Sequence, residues 1–260
     1  MQSEILKQKI QHLEAGEVDN FMEYKRLNFE DYFTICSDNW NKKETDLKLA
    51  EYKEVPYQYK GKTFYANYQV RYDGKRHCIQ AIFQQTYERS DWVVNFDFPK
   101  KVYDQFTFDG KLIQIRAHGG WVRMWLVIQD IVRDEIKDLL LKHPNCFIEV
   151  FGWSLGSGIA QLAAEDIYFK FGIKPYLYTY GSVKPFFGRK TYNYVKHCCQ
   201  EVYNFYDHCD VVGYMVPFLG WRAINHIKVK LEKHFCITKL FNPLKYHTKY
   251  DTEGLYNDIV

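Results

Sequence analysis

The chain predicts an α/β fold, a mostly parallel sheet with helices on both faces. Three observations lead there. Strand-like runs and runs of helical period alternate through the central half. A Gly-x-Ser-x-Gly stretch, Gly152-Trp153-Ser154-Leu155-Gly156, separates a β-forming run from a small-residue helical run. The length of 260 residues, 47% of them hydrophobic, suffices for one sizeable core.

The elements follow in order. Residues 1–55 read as a polar helical extension packed on the domain, with Leu6, Ile10 and Leu13 at helical spacing, and Pro56 ends it. Residues 56–260 then form a single α/β domain. Lys62 to Tyr72 is rich in Thr, Phe, Tyr and Val, and His77 to Phe83 resumes that character after Asp73-Gly74, so the two read as a β-hairpin. Leu112 to Ala117 is a short strand ending at His118-Gly119-Gly120. From Trp121 to Lys142 the period turns helical through Met124, Ile128, Ile131, Ile136, Leu139 and Leu140, and Pro144 stops it. Cys146 to Phe151 is the strand before the serine, and the helix after it runs to about Phe171-Gly172. Pro175 to Tyr180 and Glu201 to Tyr206 are strands, and Trp221 to Leu231 is extended.

Bulk properties exclude several classes. A formal charge of +3 with scattered basic residues gives no reason to expect nucleic acid. No apolar run approaches a membrane span, and no apolar leader-like stretch opens the chain, which predicts a cytoplasmic location. Seven cysteines without framework spacing then predict reduced thiols. His197-Cys198-Cys199 and His208-Cys209 lack a C-x-x-C partner, so buried small hydrophobes is the expected reading rather than a zinc site.

The glycines around Ser154 allow a tight strand-to-helix turn that leaves the hydroxyl at a helix N-terminus. A serine hydroxyl is a weak nucleophile, and it needs a base, itself oriented by a carboxylate. In this arrangement the partners follow in the order acid, then histidine. Asp207 and Asp210 are the candidate acids, and His226, His234 and His247 the candidate bases. The residues alone leave all six pairings open.

Several segments resemble, in order, those of the class 3 lipases, the fungal-lipase-like branch of the α/β-hydrolases. Phe83-Gln84-Gln85-Thr86 with Asp91-Trp92 and Asn95 is similar to the family's "F-R-G-T, then D-W-x-x-N". Ala117-His118-Gly119-Gly120-Trp121 resembles "V-H-x-G-F". The serine turn resembles "G-H-S-L-G-G-A", and Thr179-Tyr180-Gly181-Ser182-Val183 resembles "T-F-G-S-P". Asp210-Val211-Val212 with Pro217 resembles "D-x-V-P…P", and His247 in Tyr246-His247-Thr248-Lys249-Tyr250 resembles "H-S-x-Y".

The resemblance implies an α/β-hydrolase fold and a serine esterase or lipase acting on carboxylic esters of lipids. Ser154 would be nucleophile, Asp210 acid and His247 base. The N–H groups of Leu155 and Thr86 would form the oxyanion hole. Neither metal nor organic cofactor is implied. The partner is a lipid or ester substrate, held at a membrane or lipid surface, and Trp92, Val93, Val94, Phe96 and Phe98 fall where related lipases carry a lid. A phospholipase or acyltransferase on the same triad, or a non-catalytic hydrolase-fold protein binding lipid or a partner, are the alternatives. Five positions depart from the pattern: Gln84-Gln85 stands for Arg-Gly, Trp153 for His, Ser157 for Gly and Val183 for Pro.

Overall fold

β-Branched and aromatic runs pair into two sheets around one central helix. The computed structural model describes residues 24, 27, 35, 52–83, 100–108, 110–208, 210–214 and 220–229. In chain order they form β1 (Lys53–Tyr59), β2 (Lys62–Asp73), β3 (Cys78–Phe83), β4 (Lys100–Phe108), β5 (Lys111–His118) and α1 (Gly119–Lys142). Then come β6 (Phe147–Trp153), α2 (Leu155–Phe171), β7 (Tyr176–Tyr180), β8 (Phe186–Phe187) and α3 (Arg189–Val195). Last are β9 (Glu201–Asp207), β10 (Trp221–Arg222) and β11 (His226–Val229), with a 3-10 turn at Val212–Tyr214.

The larger sheet has the order β1-β2-β3-β6-β7-β9-β11. β1, β2 and β3 pair antiparallel, and every pairing from β3 to β11 is parallel. The smaller sheet, β10-β8-β5-β4, is antiparallel. This is the fold class expected.

Side chains alternate across a strand, so the large sheet has two distinct faces. Ile148, Val150, Ile79, Ala81 and Leu177 face α1 and α2 in the main core. In α1 the buried residues Met124, Ile128, Val132, Ile136 and Leu140 recur every fourth position. Ile131, expected in that stripe, is 42% exposed, because the stripe passes through Val132 instead. α2 is buried on nearly all sides from Leu155 to Ile167. Its small residues make that possible: a Cβ on Gly158 would lie 2.9 Å from the Trp121 ring of α1.

The opposite face is aromatic. Phe151, Trp153, Tyr176, Tyr178, Tyr180 and Phe205 pack there with Leu27, and Tyr24, Ile35 and Tyr52 rest against them. Glu149 of β6 is buried on this side and fully engaged. It accepts from Tyr24 (2.7 Å), Arg76 (2.6 Å), Gln80 (3.0 Å) and the Cys78 thiol (3.2 Å). A buried carboxylate needs such company.

Four local expectations are corrected. Pro56 does not end a helix but sits within β1, at the sheet edge where its missing N–H costs no ladder bond. β1 thus begins at Lys53, inside the segment read as a helical extension, and most of that segment lies outside the described residues. β4, β8 and α3 were not anticipated. Trp221 to Leu231 is not one extended run: it divides into β10 and β11, which join different sheets. Cys78, Cys146, Cys198 and Cys199 are free thiols buried in the core, as expected of small hydrophobes.

Candidate active site

The turn between β6 and α2 is forced by its glycines. A Cβ on Gly152 would lie 2.3 Å from the Gly156 carbonyl oxygen, so strand and helix meet with no room for a side chain. Ser154 takes up the reversal at φ 55° and ψ −122°. A positive φ on a non-glycine residue costs on the order of 1–3 kcal/mol. The Ser154 N–H donates to the Tyr180 carbonyl of β7 at 3.2 Å, which holds the turn against the neighbouring strand. Ser154 is the N-cap of α2, and Leu155 opens the helix. First-turn N–H groups have no acceptor within their helix and favour developing negative charge.

Two of the departures from the family pattern explain each other. The Ser157 hydroxyl donates to the Ser154 carbonyl at 2.5 Å, and it accepts the Val183 N–H at 3.1 Å. A glycine at 157 has no hydroxyl, and a proline at 183 has no N–H. The Ser-Val pair thus replaces a Gly-Pro pair by one hydrogen bond between the serine turn and the loop after β7. Ser157 is fully buried and points into that loop. Trp153 is buried on the aromatic face, 5.0 Å from the Tyr180 ring.

Asp207 ends β9, and Asp210 follows at the next turn; both are buried. The Asp210 N–H donates to the Asp207 carbonyl at 3.1 Å. Asp210 Oδ1 accepts the Val212 N–H at 2.8 Å, which caps the 3-10 turn. The Asp207 carboxylate lies 3.5 Å from His208 Nδ1.

His226 opens β11, stacked at 3.9 Å on Tyr206 of β9. Its Nε2 donates to the Ser182 carbonyl at 3.2 Å. Burial, aided by the nearby Lys184 ammonium, pushes its pKa down from 6.5 to about 3, against an opposing pull from Ser182 and Asp210. An imidazole so disposed stays neutral and is a weak base, whereas a general base works best near the operating pH. Thr86, His234 and His247 lie outside the described residues, as do Gln84, Gln85 and the segment from Trp92 to Phe98.

A network that sequence reasoning missed links these parts: Gln161 of α2, Ser182, Asn204 of β9 and the backbone of Ile224. Its sequence signal is a glutamine within the otherwise apolar run Ile159 to Ala164 of α2.

A strand, a strained serine and a buried helix on a mostly parallel sheet define an α/β-hydrolase. The model of one family, Lipase (class 3), matches residues 81–219, just over half of the chain. The protein belongs to the class 3 lipase family. Secreted mono- and diacylglycerol lipase A of Penicillium cyclopium, and the Penicillium camembertii protein of the same name, are each 28% identical over 113 residues. That stretch is 44% of this chain and 35% of theirs, so the chain spans about a third of the length of the curated relatives it matches.

Solved structures share the fold. Rhizomucor miehei triacylglyceride lipase superposes with a TM-score of 0.53 at 20% identity, covering 63% of this chain and 62% of that one. A mutant form of MDLA from Penicillium cyclopium gives 0.55 at 22%, covering 65% and 61%. A triacylglycerol lipase whose catalytic centre is a serine protease triad gives 0.54 at 20%, covering 63% and 62%. The expected cytoplasmic location is corrected by the curated relatives, both of which are secreted proteins. An N-terminal run without an apolar core was too indirect a signal to fix a compartment.

Proposed function

We propose that this protein is a serine esterase of the lipase type, acting outside the cell on carboxylic esters of lipids. Ser154 attacks the ester carbonyl carbon while His247 takes the hydroxyl proton, and Asp210 orients the imidazole and stabilises its cationic form. The tetrahedral oxyanion rests on the N–H groups of Leu155 and Thr86. Collapse expels the alcohol, protonated by His247, and leaves Ser154 acylated. Water, deprotonated by the same imidazole, then releases the carboxylic acid and restores the serine.

The observation that carries this reading is the strained turn at Ser154, where φ is 55° and the residue heads a helix buried under a parallel sheet. Strain of this kind persists where a reactive group must be held out of its relaxed geometry. Family membership supports the same chemistry. The low basicity of His226 supports His247 over it.

The test is hydrolysis of a chain-length series of p-nitrophenyl esters by the wild type and by Ser154→Ala, beside fluorophosphonate labelling of both. The expected result is a fall in kcat on the order of ten-thousandfold or more in the variant, with loss of labelling. Equal turnover by the two proteins would remove Ser154 from the reaction.

A further inference from the structure

We infer that Gln161 and Asn204 are positioning residues that dock the segment before β11 onto the nucleophile helix. They would thereby set where the chain departs toward His247, an inference that rests on the triad proposed above. Gln161 lies on α2 two turns beyond Ser154 and is fully buried. Its Nε2 donates to the carbonyls of Ser157 and Val183, each at 3.1 Å, and lies 3.4 Å from Ser182 Oγ. Its Oε1 accepts the Ile224 N–H at 2.9 Å and the Asn204 amide at 3.3 Å. Asn204 Nδ2 also donates to the Ile224 carbonyl at 2.6 Å, and Thr179 donates to Asn204 Oδ1 at 2.5 Å.

Both polar groups of Ile224 are therefore met by side-chain amides instead of by a neighbouring strand. Ile224 lies between β10 and β11, buried and outside either sheet. A buried peptide group there demands a donor and an acceptor. The Gln161 amide oxygen accepts the N–H and the Asn204 amide nitrogen donates to the carbonyl, and each planar amide keeps its other end for a further partner. Two residues on, His226 ties the same segment to the Ser182 carbonyl. The result couples three things: the serine turn through Ser157, the loop after β7 through Val183, and the start of the C-terminal chain.

An apolar side chain at 161 would fill the same volume in the core. The amide adds a fixed distance between α2 and the segment that leads out through β11. A base must reach its nucleophile within hydrogen-bond distance, and a misplacement of about 1 Å costs roughly a hundredfold in rate.

The test compares the wild type with Gln161→Met, which keeps volume but loses every polar contact, and with Asn204→Val, which releases the same peptide from its other side. Both are assayed as full chains on p-nitrophenyl esters after melting curves confirm folding. The expected result in both is a fall in kcat of about a hundredfold with little change in KM. The acid limb of the kcat/KM profile should also move to lower pH, because an imidazole that loses its carboxylate loses the stabilisation of its proton. A folded Gln161→Met or Asn204→Val with wild-type kcat and pH profile, while Ser154→Ala is inactive, overturns the inference and leaves the esterase reading intact. Failure of both variants to fold would assign the pair to stability alone and overturn it too. A wild type that neither hydrolyses the esters nor takes the fluorophosphonate label overturns the esterase reading itself.

Discussion

One hydrogen bond joins two of the positions at which this chain departs from the family pattern. Ser157 and Val183 replace the family's usual glycine and proline, and each would be awkward alone. The hydroxyl without the N–H would have one partner fewer, and the N–H without the hydroxyl would be a buried orphan. The pair therefore predicts coupling. Ser157→Gly and Val183→Pro should each destabilise by about 1–2 kcal/mol. The double variant should cost less than their sum, by about 1 kcal/mol, in a thermal-melt cycle. Strict additivity would show that the two positions do not sense each other.

At the scale of elements, the serine turn is a steric construction rather than a sequence preference. Gly152 is the position where β6 and α2 cross, with the Gly156 carbonyl 2.3 Å from where a Cβ would sit. Backbone cannot yield there as a flexible side chain would. Gly152→Ala should destabilise the fold by about 3 kcal/mol, in the range of overpacking, and abolish fluorophosphonate labelling by swinging Ser154 away. An alanine variant that melts and labels like the wild type would mean the turn has more slack than its contacts allow. The strand and helix around this turn were legible because hydrophobic period and glycine spacing are local. The same reasoning found the β2–β3 hairpin and α1. It failed at Pro56 because edge position, which tolerates proline, is a property of the sheet and not of the strand.

For the whole molecule, stability should depend on acid through His226. Its pKa is about 3 when folded and 6.5 as an ordinary imidazole. The unfolded chain therefore binds more protons between those values, and stability falls as pH drops from 6.5 toward 3. Lys184, Asp210 and the stacked Tyr206 are the groups that face it. In His226→Gln, which can still donate to Ser182, the melting temperature should fall less steeply across that window. An unchanged slope would assign the acid sensitivity to other groups. The N-terminal residues enter at this scale as well: Tyr24 and Leu27 cover an aromatic face that would otherwise meet water, and Tyr24 stacks on Tyr176 at 3.5 Å.

The residues by themselves determined the fold class and the family and singled out Ser154 as the candidate nucleophile, because alternating periods and a glycine-flanked serine are written in short windows. They also offered Asp207 and Asp210 as candidate acids. Tertiary structure alone decided that His226 is a neutral, partly buried donor, since its basicity depends on desolvation and on Lys184. It alone brought Gln161, Asn204 and Ile224 together from three separate stretches of chain. Local windows carry period and turn chemistry; which buried polar groups find one another is settled only when distant segments close on a common core.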